Sequence, residues 1–232
     1  MKVLLVDDHP LILAALQSVI TCIGSGITVT TAESGQRTRE LLRQDPTYDL
    51  VLLDLHLGDA DGFELLGELR TRYPAMPVVV ISGSDSHQDV IRAIDMGAMG
   101  YVPKRTNNET LIAALQQVIS GGVYVPPTEK VMQAQQAAHP QALAGFSHAG
   151  MLPTRHIGLT PRQTDVLHLL LKGQPNKLIA RELGLSVETV KDHVAAVLRT
   201  LGVSSRTQAV IAISQLQQRQ SISPAGMAWQ AR

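Results

Sequence analysis

Within the first 125 residues, short apolar runs alternate five times with longer amphipathic ones, and few folds accommodate that alternation. The apolar runs place strands at Lys2 to Val6, Ile27 to Thr30, Leu50 to Asp54, Val78 to Ser82 and Gly100 to Pro103. The third and fourth, Leu-Val-Leu-Leu-Asp and Val-Val-Val-Ile-Ser, are continuously apolar, as strands buried on both faces should be. Helices are expected near Leu11 to Thr21, Gly35 to Gln44, Gly62 to Tyr73, His87 to Met96 and Asn107 to Ile119. Five β/α units of this kind predict an α/β fold with a five-stranded, doubly wound parallel sheet.

At 232 residues the chain exceeds one ordinary domain, and its texture changes midway. The expected division is a first domain over 1–123, a linker over 124–158, a second domain over 159–217 and a tail over 218–232. The linker carries Pro126-Pro127, a Gln/Ala-rich run from Gln133 to Ala138, and Gly145, Gly150 and Pro153. Ala and Gln favour a helix over Thr128 to Ala138, though one with little apolar surface to bury. The zero net charge conceals a gradient: residues 1–125 hold nine Lys/Arg against fifteen Asp/Glu, and residues 156–232 hold nine against four. An acidic module suits a cation, and a basic one suits a polyanion. The single cysteine, Cys22, excludes an internal disulfide framework and a cysteine-based zinc site. No apolar run reaches about 18 residues, and Met-Lys-Val-Leu-Leu-Val-Asp-Asp turns acidic too early for a signal peptide. A cytoplasmic protein with no membrane partner is the expectation.

The acids of the first module fall at strand ends. Asp7 and Asp8 follow the first strand, Asp54 ends the third, Ser82 ends the fourth and Lys104 follows the fifth. In a doubly wound sheet the carboxyl ends of the strands form the ligand crevice, so these five side chains should converge. Three neighbouring carboxylates repel unless a cation neutralises them, and oxygen-only ligands suit Mg²⁺. One carboxylate would then be placed to attack phosphorus, with Lys104 balancing charge on the transferring group and Ser82 hydrogen-bonding a phosphate oxygen. Taken singly, each acid is equally explained as a helix cap, Asp8 before His9-Pro10 among them.

Val-Leu-Leu-Val-Asp7-Asp8-His9-Pro10, Asp49-Leu-Val-Leu-Leu-Asp54-Leu, Asp61-Gly62, Val-Ile-Ser82-Gly83 and Gly97-Ala-Met-Gly-Tyr101-Val-Pro103-Lys104 resemble the receiver domain of bacterial response regulators, over residues 2 to about 121. The resemblance implies a flavodoxin-like fold in which Asp54 is phosphorylated by a sensor histidine kinase. It also implies Mg²⁺ held by Asp7, Asp8, Asp54 and the backbone carbonyl of His56. Ser82 and Tyr101 would shift when the phosphoryl group arrives, and Lys104 would pair with it. A divalent anion pulling the hydroxyl inward would leave room for the aromatic ring to rotate in. Two departures stand out. Gly58 replaces a common proline and loosens the loop carrying His56, and Lys104 is followed by Arg105 where a cis proline is frequent.

Residues 159–217 contain no strand pattern and predict four short helices. The first opens Thr160-Pro161-Arg162-Gln163 as a capping box, buries Val166, Leu167, Leu169 and Leu170, and ends at Gly173. The second runs from about Pro175 to Leu183 and stops at Gly184. A third begins after Ser186 with a stripe of Val187, Val190, Val194, Val197 and Leu201, and a fourth spans Ser205 to Leu216. Small Ala180 and the Gly184 turn suit two helices packed as a helix-turn-helix. The face opposite the stripe, with Glu188, Lys191, Asp192, Ala195 and Arg199, fits a major groove, and Lys177, Arg181 and Arg206 suit phosphates. On spacing alone, a plain helical bundle explains this pattern as well.

Leu159-Thr160-Pro161-Arg162-Gln163, Asn176-Lys177-Leu-Ile179-Ala180, Thr189-Val190-Lys191-Asp-His193-Val194, Leu201-Gly202-Val203 and Arg206-Thr-Gln-Ala209 are similar to the LuxR-type helix-turn-helix, over residues 159 to about 213. A receiver followed by this domain resembles the NarL/FixJ family of transcription regulators. That implies a third helix reading the major groove of a double-stranded operator, Thr189 included, and a fourth making the dimer contact. Asp192 does not suit a phosphate but could accept from a cytosine amino group, which implies a different operator, and Thr200 stands where lysine is frequent, leaving Arg199 as the nearest substitute. His168 and His193 lie within helices, where packing or surface roles outweigh metal binding.

The expectation is a transcription regulator controlled by phosphorylation at Asp54, a homodimer when phosphorylated, with catalysis limited to Mg²⁺-dependent gain and loss of its own phosphoryl group. Two rivals stay open: a regulator of the same build that works unphosphorylated, and a small phosphotransferase or phosphatase using Asp54 as its nucleophile.

Overall fold

A computed structural model describes residues 1–24, 26–127 and 158–221, with side chains up to residue 213. The first unit is built from β1 (Lys2–Val6), α1 (Pro10–Ile23), β2 (Thr28–Ala32), α2 (Gly35–Gln44), β3 (Leu50–Leu53), β4 (His56–Leu57), β5 (Ala60–Asp61), α3 (Gly62–Arg72), β6 (Val78–Ser82), α4 (His87–Asp95), β7 (Gly100–Pro103) and α5 (Asn108–Ile119). Five strands pair in parallel in the order β2-β1-β3-β6-β7, the flavodoxin-like winding.

Alternation along each strand divides the core into two layers. Val3 and Leu5 of β1 share a cluster with Leu13 and Ile20 of α1 and Leu111 and Leu115 of α5. Leu4 and Val6 face the other way, with Leu42 of α2, Leu65 and Leu69 of α3 and Val90 of α4. All four residues of β3 are buried, as the unbroken apolar run requires.

Short-range chemistry sets the helix starts. Asp61 accepts from the N–H groups of Phe63 and Glu64 at the head of α3, and a Cβ on Gly62 would overlap the Leu55 backbone, which explains the Asp61-Gly62 pair. Pro10 opens α1 behind His9, which makes no side-chain cap, so Asp8 is not held there as a helix cap. The β4–β5 hairpin was not expected from the sequence, because two-residue strands leave no periodicity to read. β2 lies slightly further along than expected because all five β1 residues pair with it, from Lys2 with Thr28 to Val6 with Ala32.

The second unit holds α6 (Pro161–Leu171), α7 (Asn176–Leu183), α8 (Val187–Thr200) and α9 (Arg206–Ser221). Thr160 and Gln163 cap each other at the head of α6, and Gly184 takes the left-handed conformation, φ +64°, that the α7–α8 turn demands. Val190, Val194 and Val197 bury the stripe of α8 against Val166, Leu167, Leu170 and Ile179. α9 runs on to Ser221, past the expected Leu216. Tyr124 donates to the carbonyl of Met99, just before β7, and accepts from the Tyr101 N–H within it. Most of the expected linker, including its Thr128 to Ala138 helix, lies outside the described residues, as do residues 222–232. Among the described residues no helix is long and apolar enough to cross a membrane.

Candidate functional site

At the carboxyl edge of the sheet β1 and β3 end side by side, where the strand order reverses, and deliver Asp7 and Asp54 together. Both carboxylates are 1% exposed. Lys104, just past β7, reaches both, with Nζ 2.8 Å from Asp54 Oδ2 and 2.7 Å from Asp7 Oδ2. Burial works against the ammonium charge, but the bonds to Asp54 and Asp7 outweigh it and hold its pKa above the ordinary lysine value. One cation thus serves two buried anions, and among the described residues Asp54 Oδ1 has no hydrogen-bond partner. Ligand atoms of Asp7, Asp8, His9 and Asp54 lie within 4.8 Å of one another. Excess carboxylate charge with an unpaired oxygen is the donor set of a hard divalent cation, so these residues fit Mg²⁺. His56, whose carbonyl is the expected further ligand, lies in β4 with its ring exposed, and a Cβ on Gly58 would stand 3.5 Å from Asp8 Oδ2.

The hydroxyl groups are wired together. Ser82 Oγ, fully buried, accepts from Ser84 N–H at 3.2 Å, and Tyr101 Oη donates to the Ser84 carbonyl at 2.7 Å. Burial pushes the Tyr101 phenol up from its usual range. The ring is fully enclosed. Arg105, which follows the lysine, pairs with Asp85 over the β6–α4 loop.

In the second unit, Glu188, Asp192 and Arg199 lie exposed on α8, as do Lys177 and Arg181 on α7, while Thr189 and Ala195 are half-buried. Lys191 behaves differently. Its side chain is 13% exposed, pairs with Glu188, and donates to the Thr47 and Tyr48 carbonyls of the first unit at 3.2 and 3.4 Å. Arg206 is also committed, donating to the carbonyls of Leu170 and Gln174. Further contacts join the two units: Asn176 Nδ2 to the Ala75 carbonyl and Gln208 Nε2 to the Asp95 carbonyl.

Comparison with known proteins bears on both sites. Residues 3–116 match the response regulator receiver domain, and residues 158–213 match the bacterial regulatory proteins of the luxR family. The chain is 36% identical to the glycerol metabolism activator of Pseudomonas putida, over 90% of this chain and 93% of that protein. It is 34% identical to the nitrate/nitrite response regulator NarL of Escherichia coli K12, over 92% and 94%. The chain belongs to the NarL/FixJ family of response regulators. It is a DNA-binding transcription regulator under phosphorylation control. The RcsB response regulator of Salmonella typhimurium shares the fold, with a TM-score of 0.52 at 20% identity, over 93% of this chain and 98% of that one.

Three features of the regulator escaped sequence reasoning. Ser84 links Ser82 and Tyr101 through its backbone, and Thr47 and Tyr48 hold Lys191 through theirs, so no side-chain motif marks them. His9, 2.7 Å from Asp8 Oδ1, joins the acid cluster, and its position between Asp8 and Pro10 was the one available signal.

Proposed function

We propose that Asp54 receives the phosphoryl group from a sensor histidine kinase and that this event frees α8 for an operator. The observation that carries the proposal is the arrangement around Asp54: one oxygen paired with Lys104, the other without a partner among the described residues, beside buried Asp7 and half-buried Asp8. The free oxygen attacks phosphorus, the P–N bond to the kinase histidine breaks, and the imidazole leaves with its electron pair. Lys104 then turns from the carboxylate to the new phosphoryl oxygens, and Ser82 donates its hydroxyl to one of them. Asp7, Asp8, Asp54 and the His56 carbonyl would hold Mg²⁺, which offsets negative charge during transfer.

Drawing Ser82 toward the phosphoryl group breaks its bond with Ser84, and Ser84 carries the change to Tyr101 and the β6–α4 loop. The consequence for DNA follows from Lys191: while it donates to Thr47 and Tyr48 it is not available to a base. Released, α8 presents Glu188, Thr189, Lys191, Asp192, Ala195 and Arg199 to the major groove, with Lys177 and Arg181 on phosphates. A phosphorylated homodimer would set two α8 helices roughly 34 Å apart on an inverted repeat. The setting is the cytoplasm, where kinase and operator meet. The division into domains over 1–123 and 159–217, joined by a linker over 124–158 and followed by a tail, is part of the same proposal.

Intact-mass analysis after incubation with acetyl phosphate and Mg²⁺ tests the acceptor. One added phosphoryl group on the wild type and none on Asp54→Asn is expected, and equal labelling of the two would move the site elsewhere.

A further inference from the structure

Opposite the phosphoacceptor edge, between the starts of the β-strands and helices α7 and α8, lies a cavity of about 610 Å³, lined by both units. That volume suits a small organic ligand, for which pockets of about 300–1,000 Å³ are usual. Met99 and Val118 line it from the first unit, and Leu178 and Val194 from the second. Two guanidinium groups, Arg70 and Arg206, also line it, and their bonding is unusual.

Arg70 is 3% exposed and, among the described residues, donates only to the Met76 and Tyr73 carbonyls, and its Nε has no partner there. Among the described residues Arg206 donates only to the Leu170 and Gln174 carbonyls. Among the described residues no carboxylate forms an ion pair with either one. Burial pushes both pKa values down to about 10, yet both remain charged at neutral pH. The carboxylates that do line the cavity are already engaged: Glu188 pairs with Lys191, and Asp49 accepts from the Lys2 backbone N–H. Buried cations without counter-ions are costly, so positive charge beside an apolar wall is compensated best by an anion with an apolar body.

We propose that this cavity is a binding site for a small amphipathic organic anion of the fatty-acid type, its head toward Arg70 and Arg206 and its chain along Met99, Val118, Leu178 and Val194. Because both units line the cavity, such a ligand bridges them and favours the arrangement in which Lys191 is held. Linkage then requires that it oppose whatever separates the units, phosphorylation included, a consequence that rests on the reading of α8 given above. Binding itself does not depend on that reading, and the test uses no DNA.

Full-length protein is titrated calorimetrically with dodecanoate and with dodecanol, both below the concentration at which they aggregate. One dodecanoate per chain is expected, bound at least about tenfold more tightly than dodecanol. Arg70→Met should erase that preference. Leu178→Trp, at a half-exposed position on the cavity wall, should weaken both ligands about tenfold, and it keeps the proposal testable if Arg70→Met does not fold. No saturable binding, equal affinity for acid and alcohol, or binding unchanged in Leu178→Trp would each overturn the proposal.

Discussion

Lys104 is the residue on which the acid pocket turns, because a single ammonium bridges Asp7 and Asp54. Replacing it with methionine leaves two buried carboxylates facing each other with no cation, so Lys104→Met should unfold at lower temperature than the wild type. Mg²⁺ should then stabilise the variant more than the wild type, since the ion replaces a charge that Lys104 supplied. Thermal melts with and without Mg²⁺ check this, and equal Mg²⁺ shifts would mean that Lys104 does not set the charge balance of the pocket. Tyr101→Phe removes the bond to the Ser84 carbonyl and should cost about 1 kcal/mol of stability, measured by denaturant unfolding. The meeting of Asp7, Asp8, Asp54 and Lys104 was legible in the sequence because strand ends in a doubly wound sheet converge. Ser84 was not, because its part is played by backbone atoms that any residue would supply.

At the scale of elements, the β4–β5 hairpin fastens the loop after Asp54 to α2 through Asp59, whose carboxylate accepts from the N–H groups of Gln36 and Gly35. Those two backbone bonds hold the Asp59 pKa below the usual carboxylate value. A depressed folded-state pKa contributes stability that is present above the unfolded value and is lost as pH falls through the folded one. The melting temperature of the wild type should therefore exceed that of Asp59→Asn at neutral pH and converge with it on acidification, and a gap independent of pH would contradict the assignment. In the second unit, Thr160→Ala breaks the capping box of α6 and should cost about 1 kcal/mol without changing phosphoryl uptake. The capping box, the Gly184 turn and the α8 stripe were plain in the sequence because each is a local pattern with one physical purpose. The hairpin and the extension of α9 to Ser221 carried no such pattern.

Across the whole molecule, the two units meet through backbone groups and close approaches. Gly121, at φ +91°, lies so near Gly173 that a Cβ would overlap its carbonyl oxygen. Gly121→Ala should pry the units apart and release Lys191 without phosphorylation. Resemblance in the sequence gave both modules, but nothing in it indicated that Lys191 would be held by the first unit, since its acceptors there are the Thr47 and Tyr48 carbonyls. Phosphorylation of Asp54 is proposed to free this lysine. The direct measurement is site-resolved reductive dimethylation with formaldehyde and cyanoborohydride, read by peptide mass spectrometry, with exposed Lys177 as internal reference. Lys191 should react slowly in the unphosphorylated protein, several-fold faster after acetyl phosphate and Mg²⁺, and slowly under both conditions in Asp54→Asn. A Lys191 rate that phosphorylation leaves unchanged would contradict the account.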